Sequence, residues 1–457
     1  MEKLFTGFST VSSQQWKEQI IKDLKGIDFN TLLWKTTNGF DVKPFYTAED
    51  VTAGEPVFTH HDWEIAEWIS VKDEKQANHD ALAALNGGAS ALVFHLDGNR
   101  NLEQLLAGIF IEHIAIQFVL DNDVELFGKQ LGQLIGERKL DPAGLRLSVN
   151  YDVLSHLAGQ GQWLGTENGD MDDVCRVYSW PFNAHKLVVD VQLYQNAGAS
   201  QVTELALSLS HYNEYLNFFE SRGLDLKALN GGVQFNVAVG SDFFMEIAKL
   251  RALQQLVPLI NKAYGINAEP YIACSTSGLT QTVKDAYTNL LRTTTQAMSA
   301  VIGGAGMLEV CPFDGLYQEP DNFSRRMARN QQIILKEESY LNKVADIGAG
   351  SYYIESLTNQ LATQAWELFK TWESKGGFKA CLSNGMIQER IKSEADSLKA
   401  KAAAGELVII GANKYINPKE ETVKIRSNGS RTAANLLFEP IRALRLAEAF
   451  ENEPVKH

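Results

Sequence analysis

Apolar and polar residues follow two regular patterns along most of this chain. Short runs rich in β-branched and aromatic residues, typical of buried strands, alternate with longer stretches in which apolar residues recur every three to four positions, as in amphipathic helices. The short runs predict eight strands, which span residues 91–97, 114–121, 145–153, 186–194, 232–239, 268–275, 307–314 and 343–348. The longer stretches predict helices over 74–85, 101–106, 124–134, 200–219, 242–264, 280–302 and 322–341.

This alternation also predicts the fold class. Strands separated by crossover helices form a parallel sheet. Eight such units over about 280 residues favour a closed barrel over an open sheet. The phosphate-binding sequences GxGxxG and GxxxxGK[ST], which accompany open nucleotide-binding sheets, do not occur. The pattern therefore predicts an α/β fold, a (β/α)₈ TIM barrel with an N-terminal arm and a C-terminal helical extension.

The repeating units leave a segment at each end of the chain. We predict an N-terminal arm over 1–55, the barrel over 56–355, and C-terminal helices with a linker-like tail over 356–457. In the arm, Ser12 or Ser13 is expected to cap a helix with an apolar stripe. A stripe outside the barrel needs a surface to cover it, which is either the chain's own barrel or a partner.

Composition excludes several classes of protein. Apolar residues make up 45% of the chain and charged residues 21%, the balance of a globular protein with a sizeable core. A formal net charge of −14 argues against nonspecific binding to nucleic acid or to anionic membranes. The N-terminus resembles neither a signal peptide nor a transit peptide, and no run approaches the ~18 apolar residues of a membrane span. Together with four cysteines that form no CxxC pair, this predicts a cytoplasmic protein.

Barrel enzymes carry their reactive groups at the carboxyl ends of the strands. The residues predicted there include no nucleophile elbow and no cysteine with a histidine partner. We therefore interpret His95 as a structural histidine and Cys274 as a small buried apolar residue. The polar residues at these strand ends are His95, Asp97, Asp121, Asn150, Asp152, Gln195, Asn236, Ser275 and Asp314.

Two histidine segments resemble ligand sites only in part. His60 and His61 stand beside Asp62, but adjacent side chains seldom converge on one ion, so we expect a solvated turn. His156 begins half of DxHxxG, a motif that binds cobalamin, but Leu154 occupies the position of the aspartate. The residues alone therefore predict no catalytic, cofactor-binding or metal-binding set.

Six segments carry a resemblance to a known family. They are DVKPFYTAED (41–50), FFMEIAKLRA (243–252), the stretch from CSTSG to VIGGA (274–305), the stretch from FDGLY to KEES (313–339), DIGAGSYYIE (346–355) and GANKY (411–415). In this order they resemble the methylmalonyl-CoA mutase family over nearly the whole chain. A collinear set is more specific than any single motif, and it implies a barrel of the acyl-CoA mutase type.

The chain departs from the family pattern at positions that carry the chemistry of catalytic members. Where those members have R-T-H-x-Q-T-S-G, Ala273 replaces the histidine and Ser275 the glutamine. Trp68 replaces a tyrosine that assists homolysis of the cobalt–carbon bond, and Gly232 aligns with an arginine that binds the substrate carboxylate. Gln195 matches a family residue near the substrate. The resemblance thus implies a vestigial pocket made of His61, Trp68, Gln195, Gly232, Ala273 and Ser275.

These losses remove specific interactions. An arginine forms a charge-assisted hydrogen bond with a carboxylate, and a histidine donates to a thioester carbonyl. The resemblance therefore implies the non-catalytic small subunit of a heterodimeric, adenosylcobalamin-dependent methylmalonyl-CoA mutase. A large catalytic partner subunit would bind adenosylcobalamin and interconvert methylmalonyl-CoA and succinyl-CoA, while this chain alone would be inactive and bind no cofactor. The arm resembles that of small subunits and is expected to contact the partner, and the family's C-terminal cobalamin domain is expected to be absent.

Two other functions stay open. One is an acyl-CoA mutase barrel that works with a separate cobalamin subunit, and the other is a binding or regulatory protein that keeps a CoA-sized pocket. The barrel lumen distinguishes them, because bulky inward side chains leave no channel for pantetheine. Phe94, Phe118, Phe235 and Tyr271 are predicted to face inward, which favours a filled barrel that binds no CoA ester.

Overall fold

A closed parallel barrel forms the centre of the fold. The computed structural model describes residues 11–51, 56–58, 62–182, 184–417 and 436–451. A short antiparallel hairpin, β1 (Trp34–Lys35) and β2 (Asp41–Val42), precedes the barrel. The barrel strands are β3 (Glu64–Val71), β4 (Ala91–Leu96), β5 (Ala115–Leu120), β6 (Arg146–Asn150), β7 (Leu187–Asp190), β8 (Val233–Val239), β9 (Pro270–Thr276) and β10 (Met307–Glu309).

The order of the strands confirms the predicted (β/α)₈ barrel. The eight strands are arranged β6-β5-β4-β3-β10-β9-β8-β7, and all their pairings are parallel. The two end strands meet through a parallel bridge between Ser148 and His185 and a hydrogen bond of 2.8 Å from the Ala184 amide to the Leu147 carbonyl. These contacts close the sheet on itself.

Two of the predicted strand assignments were wrong, although the count of eight is right. The first strand is β3, which the sequence pattern did not include, and residues 343–348 form turns instead of a strand. Strand β3 carries Glu64 and Glu67, whose charges hide its apolar alternation and pair with Arg146 and Arg329. In this turn, Asp346 has a φ of +38°, which is incompatible with a strand, and its carboxylate forms an ion pair with the buried Arg251.

Fifteen α-helices are present in the described residues. A predicted helix lies in six of the seven connections between successive barrel strands and in the segment after β10, but no helix was predicted between β6 and β7. The helix predicted over 280–302 begins only at Thr288, and the C-terminal extension begins at Tyr352, before the predicted boundary at 355. The helices are α1 (Ser13–Asp23), α2 (Glu74–Asn86), α3 (Leu102–Leu105), α4 (Val124–Glu137), α5 (Val153–Gln160), α6 (Glu167–Ser179), α7 (Gln192–Asn196), α8 (Gln201–Ser221), α9 (Phe243–Ala263), α10 (Thr288–Ile302), α11 (Asn322–Ile333), α12 (Tyr352–Glu373), α13 (Gly377–Ser383), α14 (Met386–Ala403) and α15 (Glu448–Glu451).

The phenylalanines predicted to fill the lumen belong instead to the core between the strands and the helices. Phe118 lies 5.1 Å from Phe127 of α4, measured between ring centroids, and Phe94 stacks beside Phe118. Phe235 meets Tyr212 of α8 at 5.5 Å. A shift of one residue along a strand exchanges its two faces, and the inward assignment of these three residues was wrong for that reason.

The N-terminal arm has two structurally different halves. Ser12 caps α1 as expected, and α1 buries none of its residues. Farther along, the Asn38 side chain donates to Gln201 at 2.9 Å and accepts from the Val202 amide at 3.1 Å, which attaches this segment to α8. The second half therefore packs on the chain's own barrel, while α1 buries no residue and contacts the second half through Trp16, which stacks on Phe45 with 4.0 Å between ring centroids.

A C-terminal segment, residues 436–451, lies across the carboxyl ends of the strands. Its backbone amides donate to three carbonyls in two barrel segments, from Leu437 to Gly161, from Ile441 to Ala158 and from Leu446 to Leu279, at 2.8 to 2.9 Å. The segment ends in α15, where Glu451 is buried and pairs with Arg445. It ties together the loops that follow β6 and β9.

Candidate functional site

Small side chains surround the middle of the barrel lumen. Ala66, Ala91, Val93, Ala273 and Met307 form one buried cluster separate from the main core. Their strand register alternates with the residues that face the helices, so these five side chains point inward. Tyr271 packs against the same cluster and is the one large inward residue that the sequence placed correctly. The wall of the lumen formed by β3, β4, β9 and β10 is therefore apolar and lined largely by short side chains, with a cavity toward each end of the barrel.

The cavity at the carboxyl end has a volume of about 400 Å³ and contains Trp68, Ser70, His95 and Glu309. The indole of Trp68 stacks on the imidazole of His95, with 5.5 Å between centroids, and remains 39% exposed. The imidazole Nε2 lies 3.0 Å from Oδ2 of Asp121, and this hydrogen bond raises the pKa of His95. This geometry suits a solvent-facing mouth covered by an aromatic pair.

Glu309 is the group in this mouth with the most unusual ionisation. Burial raises its pKa to about 7, and its Oε1 lies 3.9 Å from the thiol of Cys311. Burial also raises the pKa of Cys311, whose sulfur contacts the Thr276 carbonyl at 3.3 Å. A thiol with a raised pKa is a poor nucleophile, so the pair does not form an activated cysteine.

Buried carboxylate and amide side chains line the wall of the lumen opposite the apolar cluster. Asp190 accepts hydrogen bonds from Asn150 at 2.8 Å and from Asn236 at 3.2 Å, and burial followed by the charge of Asp152 raises its pKa. The hydroxyl of Ser275 donates to Oε1 of Gln192. Each of these polar groups is bonded to a neighbour within the barrel, which is the usual state of structural polar residues.

Asp152 stabilises the start of α5 and does not line the cavity at the carboxyl end. It caps α5 and accepts from Tyr215 at 2.6 Å, while Nε2 of the buried His211 lies 3.0 Å away. Although burial raises its pKa, His211 and these hydrogen bonds lower it further, so the net shift is downward. The sequence had nominated Asp152, but Asp190, Gln192 and Glu309 were not nominated.

The residues nominated from the family pattern do not form one site. Trp68 lies in the mouth, Ala273 in the apolar centre, and Ser275 between them on β9. Gly232 precedes β8 at the opposite end of the barrel. Gln195 is in α7 and borders a different cavity of about 750 Å³ between the arm, α9 and α14. His61 and His60 lie outside the described residues.

A third cavity, of about 300 Å³, lies at the amino end of the barrel. His185 stacks on Tyr271 there, with 4.5 Å between centroids, and Nδ1 of His185 has no hydrogen-bond partner among the described residues. Burial lowers the pKa of His185 to about 4. Glycine is needed beside both rings, because a Cβ at Gly232 would lie 2.7 Å from Nδ1 of His185 and one at Gly306 would lie 2.5 Å from the ring of Tyr271.

The other nominated polar residues have local partners or are exposed. Asp62 pairs with Lys336, Asp314 accepts from Gln318 at 2.7 Å, and Asp97 is exposed. Within the part of the chain that the structure describes, no three histidine, cysteine or carboxylate side chains are grouped so as to hold a metal ion. None of the helices in the described ranges is long and apolar enough to cross a membrane.

Comparison with known proteins places these features in context. Residues 95–452 match the family model described as methylmalonyl-CoA mutase. The chain is 34% identical to the methylmalonyl-CoA mutase small subunit of Porphyromonas gingivalis and 29% identical to that of Streptomyces virginiae, over 91% and 89% of its length. It is 30% identical, over 90% of its length, to the methylmalonyl-CoA mutase of Cereibacter sphaeroides.

The relatives are longer than this chain. The alignments cover 71% of each of the two small subunits and 65% of the mutase from Cereibacter sphaeroides. A solved dihydropteroate synthase from Yersinia pestis aligns with 61% of the chain at 9% identity and a TM-score of 0.31, a likeness too weak to support any conclusion.

Proposed function

This chain belongs to the methylmalonyl-CoA mutase family, and we propose from that premise that it is the non-catalytic small subunit of a heterodimeric, adenosylcobalamin-dependent mutase. In this proposal the large partner subunit interconverts methylmalonyl-CoA and succinyl-CoA. This chain binds the large subunit and contributes no reactive group.

The environment of Ala273 carries the proposal. A residue that polarises a thioester carbonyl must offer a hydrogen-bond donor toward the lumen. Ala273 offers only a methyl group, and its neighbours in the lumen are Ala66, Val93 and Met307. The nearest inward polar side chain on the same strand, Ser275, already donates its hydroxyl proton to Gln192. The position that matches the family histidine therefore has no donor of its own, and its neighbours Asn236 on β8 and Ser275 on β9 donate to Asp190 and Gln192.

The residues of this chain do not fit adenosylcobalamin. The partial motif that begins at His156 lies inside α5, where burial lowers the pKa of the imidazole and the preceding Leu154 is completely buried. The Ala158 carbonyl on the same turn is bonded to the C-terminal segment. A histidine held in a packed helix is poorly placed to reach a corrin, so we assign the cofactor to the partner subunit.

The first half of the arm is the surface we assign to that partner. Trp16 and Ile21 on α1 are close to half exposed, and Ile27 beyond the helix is more exposed still. Apolar side chains that a chain's own core leaves uncovered are characteristic of interaction surfaces. The predicted contact between arm and partner therefore applies to α1, while the segment from Asn38 onward is occupied by α8.

One observation favours the second candidate, a protein that keeps a pocket for a CoA ester. The lumen is lined by small residues and opens into a cavity at each end, in contrast to the filled barrel that the sequence predicted. Isothermal titration of the isolated chain with CoA and with acetyl-CoA tests this alternative, which requires saturable binding.

Co-expression with a large mutase subunit tests the main proposal. We expect a stable one-to-one complex in size-exclusion chromatography with light scattering. We also expect mutase activity only in samples that contain the large subunit and adenosylcobalamin. The proposal is wrong if this chain elutes as a lone monomer beside its large subunit, or if it converts methylmalonyl-CoA without it.

A further inference from the structure

Several exposed apolar side chains form a continuous surface beside the carboxyl mouth of the barrel. Tyr287 is 63% exposed, Leu291 is 70% exposed and Tyr415 is 72% exposed, although apolar side chains of this size are usually covered. Phe323 and Ile410 complete the set. We call Tyr287, Leu291, Phe323, Ile410 and Tyr415 the rim patch.

Contacts through neighbouring residues link the members of the rim patch. Tyr287 stacks on Phe313 at 5.0 Å between centroids, and Phe313 meets Phe323 edge-on at 6.3 Å. Leu291 lies one helical turn beyond Tyr287 on α10. The guanidinium of Arg292, the next residue, donates to the Ile410 carbonyl, which fixes the loop that carries Ile410 and Tyr415 against α10.

The patch rests on a rigid base. The Asn289 amide donates to the Thr282 carbonyl at 2.8 Å and to the Phe313 carbonyl at 3.1 Å, and Asn289 itself is fully buried. Arg292 donates to Oδ1 of Asn289 at 2.8 Å, so one buried side chain connects the loops after β9 and β10 with α10. A surface that is already ordered loses little conformational entropy on binding, which favours tight association.

Cations border the patch in an otherwise acidic protein. The guanidinium of Arg326 lies 6.0 Å from the ring centroid of Phe323, and the ammonium of Lys414 lies 5.3 Å from that of Tyr415. Both cations are exposed, and neither forms an ion pair with any residue in the described ranges. The nearby Asp321 caps α11 by accepting from the Phe323 and Ser324 amides, so its charge is already engaged.

We propose that the rim patch is a docking surface for the large mutase subunit, and that it receives a segment in which apolar side chains are flanked by carboxylates. Exposed tyrosine, phenylalanine and arginine side chains are the residue types most enriched in protein interfaces. The unpaired cations select an acidic partner segment by charge complementarity. This proposal rests on the proposed function, since it names the surface that the partner subunit uses in addition to α1.

The patch also lies next to the barrel mouth. Pro312, the neighbour of Phe313, lines the cavity that contains Trp68 and His95, as does Arg325 in the first turn of α11. A subunit seated on the rim patch therefore extends over this mouth.

Substitutions at exposed positions test the proposal in the intact heterodimer. Leu291→Glu places a carboxylate at the centre of the patch, and we expect roughly ten- to hundredfold weaker binding to the large subunit, the effect of losing an interface hot spot. The matched control is Leu259→Glu, which changes a half-exposed helical leucine on α9 away from the patch and should leave the affinity within about twofold. Circular dichroism melts of the isolated variants establish that both fold.

Charge reversal at Arg326 tests the acidic nature of the partner segment. Arg326→Glu should weaken binding about three- to tenfold at low salt, and the loss should shrink when the ionic strength is raised to about 0.5 M. The proposal is overturned if the large subunit binds Leu291→Glu as tightly as it binds the wild type, while the proposed function then stands. It is also overturned if the substitutions change only self-association of this chain. If no large subunit binds the wild type, both proposals fail.

Discussion

His185 offers a direct measurement of how the amino end of the barrel is packed. Its imidazole stacks on Tyr271, no group in the described part of the chain bonds to its Nδ1, and burial lowers its pKa to about 4 from an ordinary value of 6.5. The unfolded chain therefore binds a proton at His185 between pH 6.5 and pH 4, while the folded chain does not. Folding stability contributed by the neutral ring is complete above pH 6.5 and is lost as the pH falls.

The size of the effect follows from these two pKa values. Protonation of His185 in the unfolded state lowers the free energy of unfolding by about 2 kcal/mol at pH 5 compared with pH 7.5. At still lower pH this loss reaches a limit of roughly 3.4 kcal/mol. Carboxylates whose pKa values are raised in the folded state, such as Glu309 at about 7 and Asp242 at about 6, change stability in the opposite direction. The wild-type profile is the sum of these contributions, so a variant is needed to isolate His185.

His185→Phe keeps the aromatic stacking on Tyr271 and removes the titrating group. We expect the variant to lose about 2 kcal/mol less free energy of unfolding than the wild type between pH 7.5 and pH 5, measured by urea titrations followed by circular dichroism. His79→Phe, at an exposed position on α2, serves as the control and should follow the wild-type profile. If His185→Phe shows the same acid loss as the wild type, then His185 is protonated in the folded state and the cavity around it is hydrated.

Two further substitutions test the packing that supports the barrel. Gly232→Ala should lower the free energy of unfolding by roughly 2–4 kcal/mol, because its φ of +125° disfavours side chains and the new Cβ would lie 2.7 Å from His185; thermal melts should show a smaller loss for Gly223→Ala, whose φ is +68° but whose Cβ would meet no atom within 4 Å. Arg251→Met should cost about 3–5 kcal/mol in urea titrations, because it leaves Asp346 and Glu355 buried without their cation. Arg222→Met, which removes an exposed partner of Asp172, should cost at most about 1 kcal/mol, and equal losses in the two arginine variants would contradict this account.

The barrel could be predicted from the sequence because the alternation of strand and helix patterns involves many residues along the whole chain. Individual elements were less secure, since strand β3 carries two glutamates whose charges are neutralised only by distant arginines on β6 and α11. That pairing is invisible in a local pattern. The turn at 343–348 has an apolar pattern like that of a strand, but its Asp346 takes part in the buried pairing with Arg251.

The candidate site was predicted in part. Trp68, Ala273 and Ser275 lie in or beside the lumen because each is on the inward face of a barrel strand, β3 or β9. Gly232 and Gln195 lie elsewhere because one residue precedes its strand and the other follows its strand on a helix, where inward and outward faces no longer alternate. Asp190 and Glu309 were not nominated, since a carboxylate at a strand end has no sequence pattern that reveals its burial.

The open lumen bears on how a barrel of this family loses a catalytic donor without losing its fold. Filling the centre with aromatic rings would require several inward substitutions at once, because overpacking a single layer is itself destabilising. Replacing a hydrogen-bond donor with alanine at position 273 requires only one substitution, and the methyl group of Ala273 packs against the apolar cluster. Small inward residues therefore persist even where no ester is bound, so an open lumen by itself is weaker evidence for CoA binding than the loss of the donor is against catalysis. Of the two candidate functions, the partner subunit is accordingly the one that requires no further property of this barrel.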